Sequence, residues 1–338
     1  MKKFSCLFII FVLLFVLLFV LCSCSEEHIN DANSGVDERT IDVTLGADEH
    51  AELDFGYMNG ERAIKDFVVD GAEIYILQYD STVLRYDKNG KFTEKYDLDL
   101  AEQGLTASRI AYSNGKIYLL DGHNNAIITA EKDKVKNVSV LNFSDVGMVK
   151  NFYAQKNGTL IMSFSDIYEA YTVEIDPNGM ETEIVGEKQK GYLIGGKITY
   201  LPELINNNDE TSQVKVTIYR SGEKIRDFSI GTVEKSRSLQ GLSIYGVSND
   251  EWFGILHEFV NYGEDPSDEK YIKTSVSIDT KNEKIKTSDK YFDDDAIIKL
   301  SKDDTYCMSF LNNALTIKPI SEYFSDWSDS DIYFLTND

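Results

Sequence analysis

The hydrophobic and polar positions of residues 67–92 define a pattern of short strands and turns. The apolar run 74–77 follows the turn Asp70-Gly71, the polar break Asp80-Ser-Thr82 separates it from the run 83–86, and the turn Asp87-Lys-Asn-Gly90 follows that run. β-Branched and aromatic runs between such turns indicate antiparallel strands joined by hairpins. The stretch therefore predicts a four-stranded meander. A lone meander cannot bury both of its faces, so the chain must repeat it.

The same pattern recurs along the chain with a mean spacing of about 46 residues, which is the size of a four-stranded propeller blade. Asn114-Gly115 and Asn157-Gly158 supply the hairpin turn of the second and third units. Six positions of the second strand fall into register: Ile74, Ile117, Leu160, Ile198, Trp252 and Tyr306. We therefore predict an all-β fold, a six-bladed β-propeller of four-stranded antiparallel blades.

At these residues the chain resembles the NHL-like six-bladed β-propellers. The shared pattern is an Asp-Gly or Asn-Gly turn, an apolar-Tyr-apolar run, a polar break and a strand that ends in Asp-x-x-Gly. The resemblance covers roughly residues 41–320 and concerns the fold, so it implies no ligand or reaction. Units four to six follow the pattern less regularly, and seven blades are the alternative count.

A propeller has to close its ring, because its first and last blades otherwise expose strand edges. Residues 40–45 alternate like a strand, and we expect them to supply the outer strand of the last blade. Residues 332–335 offer the competing closure. The propeller is assigned to residues 39–320, and the acidic tail 321–338 is expected to pack on it or to close it.

Helix and proline are both expected to be rare within the domain. Residues 98–105 form at most a short turn between blades. The four prolines are expected where strands break, because proline cannot donate to a strand ladder.

Residues 1–23 have the pattern of an export signal. Met1-Lys-Lys3 precedes an apolar run that ends in Leu21-Cys-Ser-Cys24. A basic end, an apolar run and small residues are typical of a secretory signal, which is excluded from the fold. Leu21-Cys-Ser-Cys24 resembles the lipobox of bacterial lipoproteins, and this implies that Cys24 becomes the first mature residue and carries a diacylglycerol. An uncleaved membrane helix and free secretion are the alternatives.

Residues 24–38 lack apolar periodicity and predict a flexible tether, whose ends would average about 20 Å apart. The protein is then expected at the extracytoplasmic face of a cell membrane, held by lipid and labelled by palmitate. Two acyl chains give stable anchoring, whereas one gives only marginal binding.

The formal charge is −23, from 57 acidic and 34 basic residues. Such a surface repels phosphate backbones and anionic lipid, so we expect no nucleic-acid partner and no electrostatic docking on a membrane. Three of the four cysteines lie in the signal or at its cleavage point, which leaves Cys307 in the domain. No internal disulfide is expected, so stability depends on a large packed core.

Two insertions indicate a binding face. Residues 205–212 and 260–270 lengthen the same loop of the neighbouring fourth and fifth units. Insertions on one face of a repeat protein often bind a partner, and solvated loops without a partner are the alternative. The residues predicted to bind on this face are Asp80, His123, Asp166, Tyr168, Tyr262 and Asp265.

Motifs for metal binding and catalysis are weak. Residues 293–295 and 325–331 are rich in oxygen ligands but lack the spacing of a calcium loop. The four histidines are scattered, and no H-E-x-x-H, G-x-S-x-G or P-loop occurs. We therefore predict no metal and no cofactor, and we assign no catalytic residue.

The leading functional hypothesis is a monomeric surface lipoprotein whose propeller binds an extracytoplasmic protein, peptide or glycan. The alternatives are a propeller enzyme acting on an envelope glycan, either a lyase or a hydrolase, and a structural accessory of an envelope complex. The enzyme requires ionisable groups that converge at the central mouth.

Overall fold

The computed structural model describes residues 41–44, 64–71, 73–142, 147–165, 169–195, 197–206, 212–248, 251–263, 267–288, 297–300, 306–311, 314–319 and 327–337. The chain divides into residues 1–37 and 38–338, and all described residues belong to the second unit. They form antiparallel strands, with a 3₁₀ turn at Ala101–Gln103 where a short turn was predicted. The predictions of an all-β fold and of a turn at this place are confirmed.

The described strands form six antiparallel sheets, which we number in chain order. The first strand, β1 (Ile41–Thr44), belongs to the sixth sheet. Sheet 1 contains β2 (Ile64–Asp70), β3 (Glu73–Gln78), β4 (Val83–Asp87) and β5 (Phe92–Tyr96). Sheet 2 contains β6 (Arg109–Ser113), β7 (Lys116–Asp121), β8 (Ala126–Glu131) and β9 (Lys134–Val140). Sheet 3 contains β10 (Val149–Ala154), β11 (Leu160–Ser165), β12 (Ala170–Asp176), β13 (Glu183–Ile184) and β14 (Gln189–Lys190).

The remaining sheets follow the same order of consecutive strands. Sheet 4 contains β15 (Tyr192–Gly195), β16 (Ile198–Asn206), β17 (Ser212–Arg220) and β18 (Glu223–Thr232). Sheet 5 contains β19 (Arg237–Ser248), β20 (Glu251–Val260), β21 (Lys270–Asp279) and β22 (Lys284–Ser288). Sheet 6 contains β23 (Ile297–Leu300), β24 (Tyr306–Leu311) and β25 (Ala314–Pro319), with β1 outermost. Two C-terminal strands, β26 (Trp327–Asp329) and β27 (Tyr333–Asn337), add to sheets 5 and 4.

The apolar core lies between neighbouring sheets as separate layers. Tyr75 and Ile117 belong to the layer that joins sheets 1 and 2, and Tyr118 and Phe152 to the layer that joins sheets 2 and 3. Two more layers follow the same rule: Tyr200, Phe228, Leu242 and Trp252 join sheets 4 and 5 in the largest layer, and Phe67, Ile74 and Leu315 join sheets 1 and 6 in the smallest. Sheets that pack face to face in sequence are the arrangement of a β-propeller.

A serine hydroxyl marks the passage from one sheet to the next at three places. Ser81 Oγ accepts the N–H of Ala107 at 3.1 Å, and Ser163 Oγ accepts the N–H of Leu193 at 3.1 Å. Ser212 Oγ accepts the N–H of Leu239 at 2.6 Å. These bonds satisfy backbone N–H groups at the start of the next sheet that have no partner strand on that side, and they thereby fix the position of that sheet.

Sheets 4 and 5 are longer than the sheets before them. The strands β16 to β21 have 9 to 12 residues, whereas those of sheets 1 and 2 have 5 to 7. Pairing in sheet 4 continues to Asn206 and Ser212, so the predicted insertion 205–212 begins and ends within strands. The second predicted insertion follows β20, which ends at Val260. Both insertions therefore extend hairpins.

Proline 202 lies inside β16, opposite Val216 of β17, so the expectation that all four prolines break strands is wrong for this residue. The reason is local, because β15 pairs with β16 only as far as Tyr200. At Pro202 the strand is an edge on that side, where a missing N–H costs no ladder bond.

The two ends of the domain are both paired in sheets. β1 pairs with β25, with Ile41 opposite Ile317 and Thr44 opposite Ala314. β27 pairs with β18, so residues 333–335 extend sheet 4 and do not close sheet 6. A Cβ atom on Gly231 of β18 would lie 2.2 Å from Cζ of Phe334, so glycine is required for the Phe334 ring to lie on that strand.

Candidate functional site

Three of the predicted rim residues lie within the described residues, and two of them are involved in local turns. Asp80 is exposed and its Oδ1 accepts the N–H of Thr82 at 2.9 Å. His123 is exposed and its N–H donates to Asp121 Oδ1 at 3.0 Å. Tyr262 is 49% exposed, beyond the end of β20. No hydrogen bond or ring contact joins these three side chains to one another among the residues that the structure describes, and their binding role stays a prediction.

The other predicted site residues, Cys24, Asp166, Tyr168 and Asp265, lie outside the described residues. The oxygen-rich segment 293–295 lies outside them too. Within the described ranges no group of three or more His, Cys, Asp or Glu side chains could hold a metal ion. The same ranges contain no helix that is long and apolar enough to cross a membrane.

The long ends of sheets 4 and 5 form a surface with exposed apolar side chains, which we name the extended face. The two ends lie side by side, because Leu239 at the start of β19 bonds to Ser212 at the start of β17. Val233 is 64% exposed and Leu204 is 43% exposed. The exposed apolar residues of the face are Leu204, Ile205, Val233, Tyr262 and Tyr271. Exposed apolar groups that lie together mark surfaces for interaction.

A buried polar cluster lies next to the extended face, around the carboxylate of Glu258. The Glu258 carboxylate is fully buried, and its Oε1 accepts bonds from Thr274 Oγ1 at 2.8 Å, from Arg237 Nη1 at 3.2 Å and from the Tyr333 hydroxyl. Burial raises the pKa of Tyr333, and the Glu258 charge raises it further. The cluster joins β19, β20, β21 and β27. It therefore holds the start of the C-terminal strand β27 against sheet 5 near the loop between β20 and β21, since Glu258 lies two residues before the end of β20.

A second candidate site lies on the first strands of the six sheets. Each of these strands contributes one half-buried side chain, and the set, which we name the inner-strand cluster, consists of Lys65, Arg109, Lys150, Tyr192, Tyr245 and Lys299. Lys65, Lys150 and Tyr245 each occupy a register shift, where the first strand has one residue more than its neighbour. A bulge redirects the side chain of its extra residue, which explains why these three leave the alternation of their strands.

Lys150 of sheet 3 is surrounded by tyrosine rings from sheets 4 and 5. Its Nζ lies 4.8 Å from the ring centroid of Tyr200, 5.0 Å from that of Tyr192 and 5.6 Å from that of Tyr245. It also bonds to the Tyr200 hydroxyl. Burial lowers the pKa of Lys150 to about 7. The ring faces stabilise the charged ammonium, but they do not restore the hydration that it loses.

Three further cations approach one another on sheets 1, 2 and 6. Burial lowers the pKa of Lys65 and of Lys299, and the positive charge of Arg109 lowers both further. Lys299 Nζ lies 2.7 Å from Asp66 Oδ1 and donates to Phe67 O at 2.7 Å. Arg109 Nη2 donates to Val149 O at 3.1 Å, so its guanidinium reaches the strand that carries Lys150. The cluster thus concentrates positive charge in a chain of strongly negative net charge.

The carboxylates near this cluster are held by other groups. Asp66 Oδ2 accepts the N–H of Ile110 at 2.8 Å in addition to the Lys299 contact. Asp121 is fully buried and accepts bonds from Thr106, His123 and Asn124. Hydrogen bonds that favour the charged form hold the pKa of Asp121 below its ordinary value against the opposing effect of burial. Neither carboxylate is directed at Lys150.

A row of hydrogen bonds crosses sheet 5 next to Lys150. Ser243 Oγ lies 3.0 Å from His257 Nε2, and His257 Nδ1 lies 2.7 Å from the Tyr271 hydroxyl. Burial raises the pKa of Tyr200 well above 10, and bonding to Ile244 and Ser243 partly opposes this rise. The row therefore connects Tyr200, one of the three tyrosines around Lys150, to Tyr271 on the extended face.

The inner-strand cluster was missed from the sequence. Its signal is present, because Lys65, Arg109, Lys150 and Lys299 each lie on the first strand of their unit. The repeat pattern was aligned on the second strands, and these residues lie on the first strands. The bulges that direct them also depend on the residue count of the partner strand, which one sequence does not display.

No protein-family model and no curated protein matches the chain. Among solved structures, the chain is similar to PorZ, an essential bacterial surface component of the type-IX secretion system of Porphyromonas gingivalis, at 11% identity and a TM-score of 0.36. That match covers 77% of this chain and 47% of PorZ, so the chain spans about half of its length.

Two further structures show the same level of likeness. BamB from Moraxella catarrhalis is 10% identical, with 77% of this chain and 84% of that chain covered and a TM-score of 0.36. The WD40 β-propeller domain of Doa1 is 10% identical, with 81% and 96% covered and a TM-score of 0.38. Likeness at this level carries no argument about function, and the fold assignment rests on the strand topology described above.

Proposed function

We propose that this chain is a lipid-anchored, extracytoplasmic six-bladed β-propeller that captures a protein partner through the extended face. The observation that carries the proposal is the elongation of sheets 4 and 5 alone, which presents Leu204, Val233 and Tyr262 to solvent. Tyrosine is enriched among the residues that dominate binding energy at protein interfaces, and apolar neighbours such as Leu204 and Val233 would exclude water around it.

The six-bladed ring is supported by contacts that join the last sheet to the first. Lys299 of β23 bonds to Asp66 and Phe67 of β2. Leu315 of β25 packs in the same apolar layer as Phe67. With β1 as its outer strand, sheet 6 has four strands, as sheets 1 and 2 do, and this supports a ring that the N-terminal strand closes.

Anchoring is supported by the sequence Leu21-Cys-Ser-Cys24 after an apolar run. We propose that a diacylglycerol on Cys24 holds the propeller at the membrane, with residues 24–38 as a tether. Cells grown with labelled palmitate should incorporate label into the wild-type chain and not into the Cys24→Ser variant. Absence of label from the wild-type chain would contradict the anchor and leave the partner proposal standing.

Site-specific photo-crosslinking tests the partner proposal. A photoreactive residue at position 233 or 262 should give an adduct with one and the same protein. Position 180 is the matched control, because Met180 is 85% exposed but lies outside the extended face. The purified partner should bind wild-type chain, and Val233→Ser combined with Tyr262→Ser should weaken the affinity about tenfold or more without changing the melting temperature. Unchanged affinity of the double variant would refute the proposal.

A further inference from the structure

We propose that the inner-strand cluster is a binding site for an acidic sugar, whose charged group contacts Arg109, Lys65 and Lys150 and whose ring packs on Tyr192 and Tyr245. This site is separate from the extended face, and the proposal does not depend on the protein partner. Its basis is the composition of the cluster, four cations and two tyrosines, one from each of six strands.

The charge distribution favours an anion at this place. Lys299 is neutralised by Asp66 at 2.7 Å, and Asp121 accepts hydrogen bonds from Thr106 and Asn124 while its charge raises the pKa of Lys65 against the opposing effects of burial and Arg109. No ion pair with a carboxylate is found for Lys65, Arg109 or Lys150 among the described residues. Desolvated cations of this kind gain most from an anionic ligand, because the ligand supplies the opposite charge where water is partly excluded.

The guanidinium of Arg109 is placed to recognise a planar or tetrahedral anion. It donates to the carbonyls of Ser108 and Val149 at 3.1 Å, and these bonds fix its position between sheets 2 and 3. A guanidinium has five N–H donors, so donors remain for a ligand. The strands that carry Arg109, Lys65 and Lys299 meet at Asp66, which follows Lys65, accepts the N–H of Ile110, the residue after Arg109, at 2.8 Å, and lies 2.7 Å from Lys299 Nζ.

The aromatic part of the cluster favours a sugar over a simple anion. Tyr192 and Tyr245 are half-buried, and their ring centroids lie 5.0 Å and 5.6 Å from Lys150 Nζ. A tyrosine ring offers an apolar face to the C–H groups of a pyranose and a hydroxyl to its oxygens. A ligand with a carboxylate or phosphate and a pyranose ring would contact both kinds of side chain. Neutral sugars and simple anions would each contact one kind.

Titration calorimetry on the mature chain with glucuronate, glucose 6-phosphate, glucose and acetate tests the proposal. Glucuronate or glucose 6-phosphate should bind saturably, and glucose and acetate should bind at least about tenfold more weakly, since each lacks one set of contacts. The difference between glucuronate and glucose 6-phosphate identifies the carboxylate or the phosphate as the preferred group. Equal binding of acetate or of glucose, or no saturation by either acidic sugar, would overturn the proposal.

Substitutions locate the binding to the cluster. Lys65→Met, Arg109→Gln and Lys150→Met should each weaken binding of the acidic sugar about tenfold or more. Lys134→Met removes an exposed cation of β9 and should leave the affinity within about twofold of wild type. Lys65 is half-exposed, so its variant remains informative if Arg109→Gln fails to fold. Wild-type affinity in folded Lys65→Met and Lys150→Met variants would contradict the site.

Discussion

Replacing Lys299 by methionine removes the cation that joins sheet 6 to sheet 1. Its Nζ lies 2.7 Å from Asp66 Oδ1, and the side chain of Lys299 is 12% exposed. Asp66 is 1% exposed, so its charge would stay buried without a cation in the Lys299→Met variant. Breaking a buried ion pair by removing one partner costs about 3–5 kcal/mol. The variant should therefore lose stability by about this amount.

A second substitution separates the ion pair from ordinary packing. Asparagine at position 66 removes the buried charge and keeps an oxygen for the N–H of Ile110, which now donates to Asp66 at 2.8 Å. The double variant Asp66→Asn with Lys299→Met should recover most of the loss and remain within about 2 kcal/mol of wild type. Non-additivity of this size is expected only for residues in direct contact.

Urea unfolding and calorimetry of the mature chain with Cys24→Ser measure these differences. For a domain of this size, 1 kcal/mol corresponds to about 2 °C, so Lys299→Met should lower the melting temperature by about 6–10 °C. Lys134→Met, on the surface of sheet 2, is the control and should leave it unchanged within about 1 °C. A stability of Lys299→Met equal to wild type would refute the contact between sheets 6 and 1.

Two further variants test the C-terminal strand and the lysine cage. Gly231→Ala should destabilise the fold by about 1 kcal/mol or less because its Cβ would displace the partly exposed Phe334 ring, whereas Gly241→Ala, which meets no atom within 4 Å, should be nearly neutral. Urea unfolding of both variants measures the difference, and a Gly231→Ala variant more stable than Gly241→Ala would contradict the packing of β27. Lys150 has a pKa of about 7 in the folded chain and an ordinary pKa of 10.5. Burying the charged ammonium therefore lowers the free energy of unfolding fully below pH 7, and this loss disappears as the pH rises towards 10.5. Three tyrosine rings surround Lys150 Nζ, and among the described residues no carboxylate forms an ion pair with it. Lys150→Met should therefore gain stability relative to wild type at pH 6.5 and lose that gain by pH 10; a difference independent of pH would contradict the burial of the charge.

Much of the first three sheets could be predicted from the sequence, because local signals agree there. The turns Asp70-Gly71 and Asn114-Gly115 lie between strands as predicted, and Gly71 and Gly115 have φ of 61° and 80°. Alternation fixed which residues face the core, since Ile117 and Tyr118 pack into the layers on the two sides of sheet 2. In these units propensity, turn chemistry and tertiary packing point to the same structure.

The extra length of the strands in sheets 4 and 5 could not be predicted, because residues 205–212 and 260–270 are rich in turn-forming and polar residues and therefore indicate loops. Pairing between β16 and β17 nevertheless extends to Ser212, where a hydroxyl that bonds to the neighbouring sheet fixes the strand. Glu258 likewise looks like a surface residue in the sequence. It is buried only because Arg237 and Tyr333, distant in the chain, meet it. Such contacts depend on how sheets 4 and 5 and the C-terminal strand pack together, and no short stretch of sequence displays them.

The rim residues are predicted to bind because they lie in loops on the face with the two insertions, and only a partner can test that role. The inner-strand cluster depends on bulges, which shift Lys65 and Lys150 out of the alternation that the sequence pattern assumes. A prediction that assumes strict alternation along the strand places the side chains of such residues on the wrong face of the sheet, because a bulge shifts the register by one residue. The sequence therefore predicts where the first strands lie better than it predicts which of their side chains meet.

Disulfide trapping of β1 on β25 tests the closed ring most directly. In a chain with Cys24 and Cys307 replaced by serine, Asp42→Cys with Thr316→Cys places the new thiols on residues that lie opposite each other. Mild oxidation should link them, and mass spectrometry should find the joined peptides. Asp42→Cys with Ala314→Cys offsets the pair by two residues, about 7–8 Å along the diagonal, and should not link. Failure of the first pair, or equal linking of the offset pair, would contradict closure by the N-terminal strand.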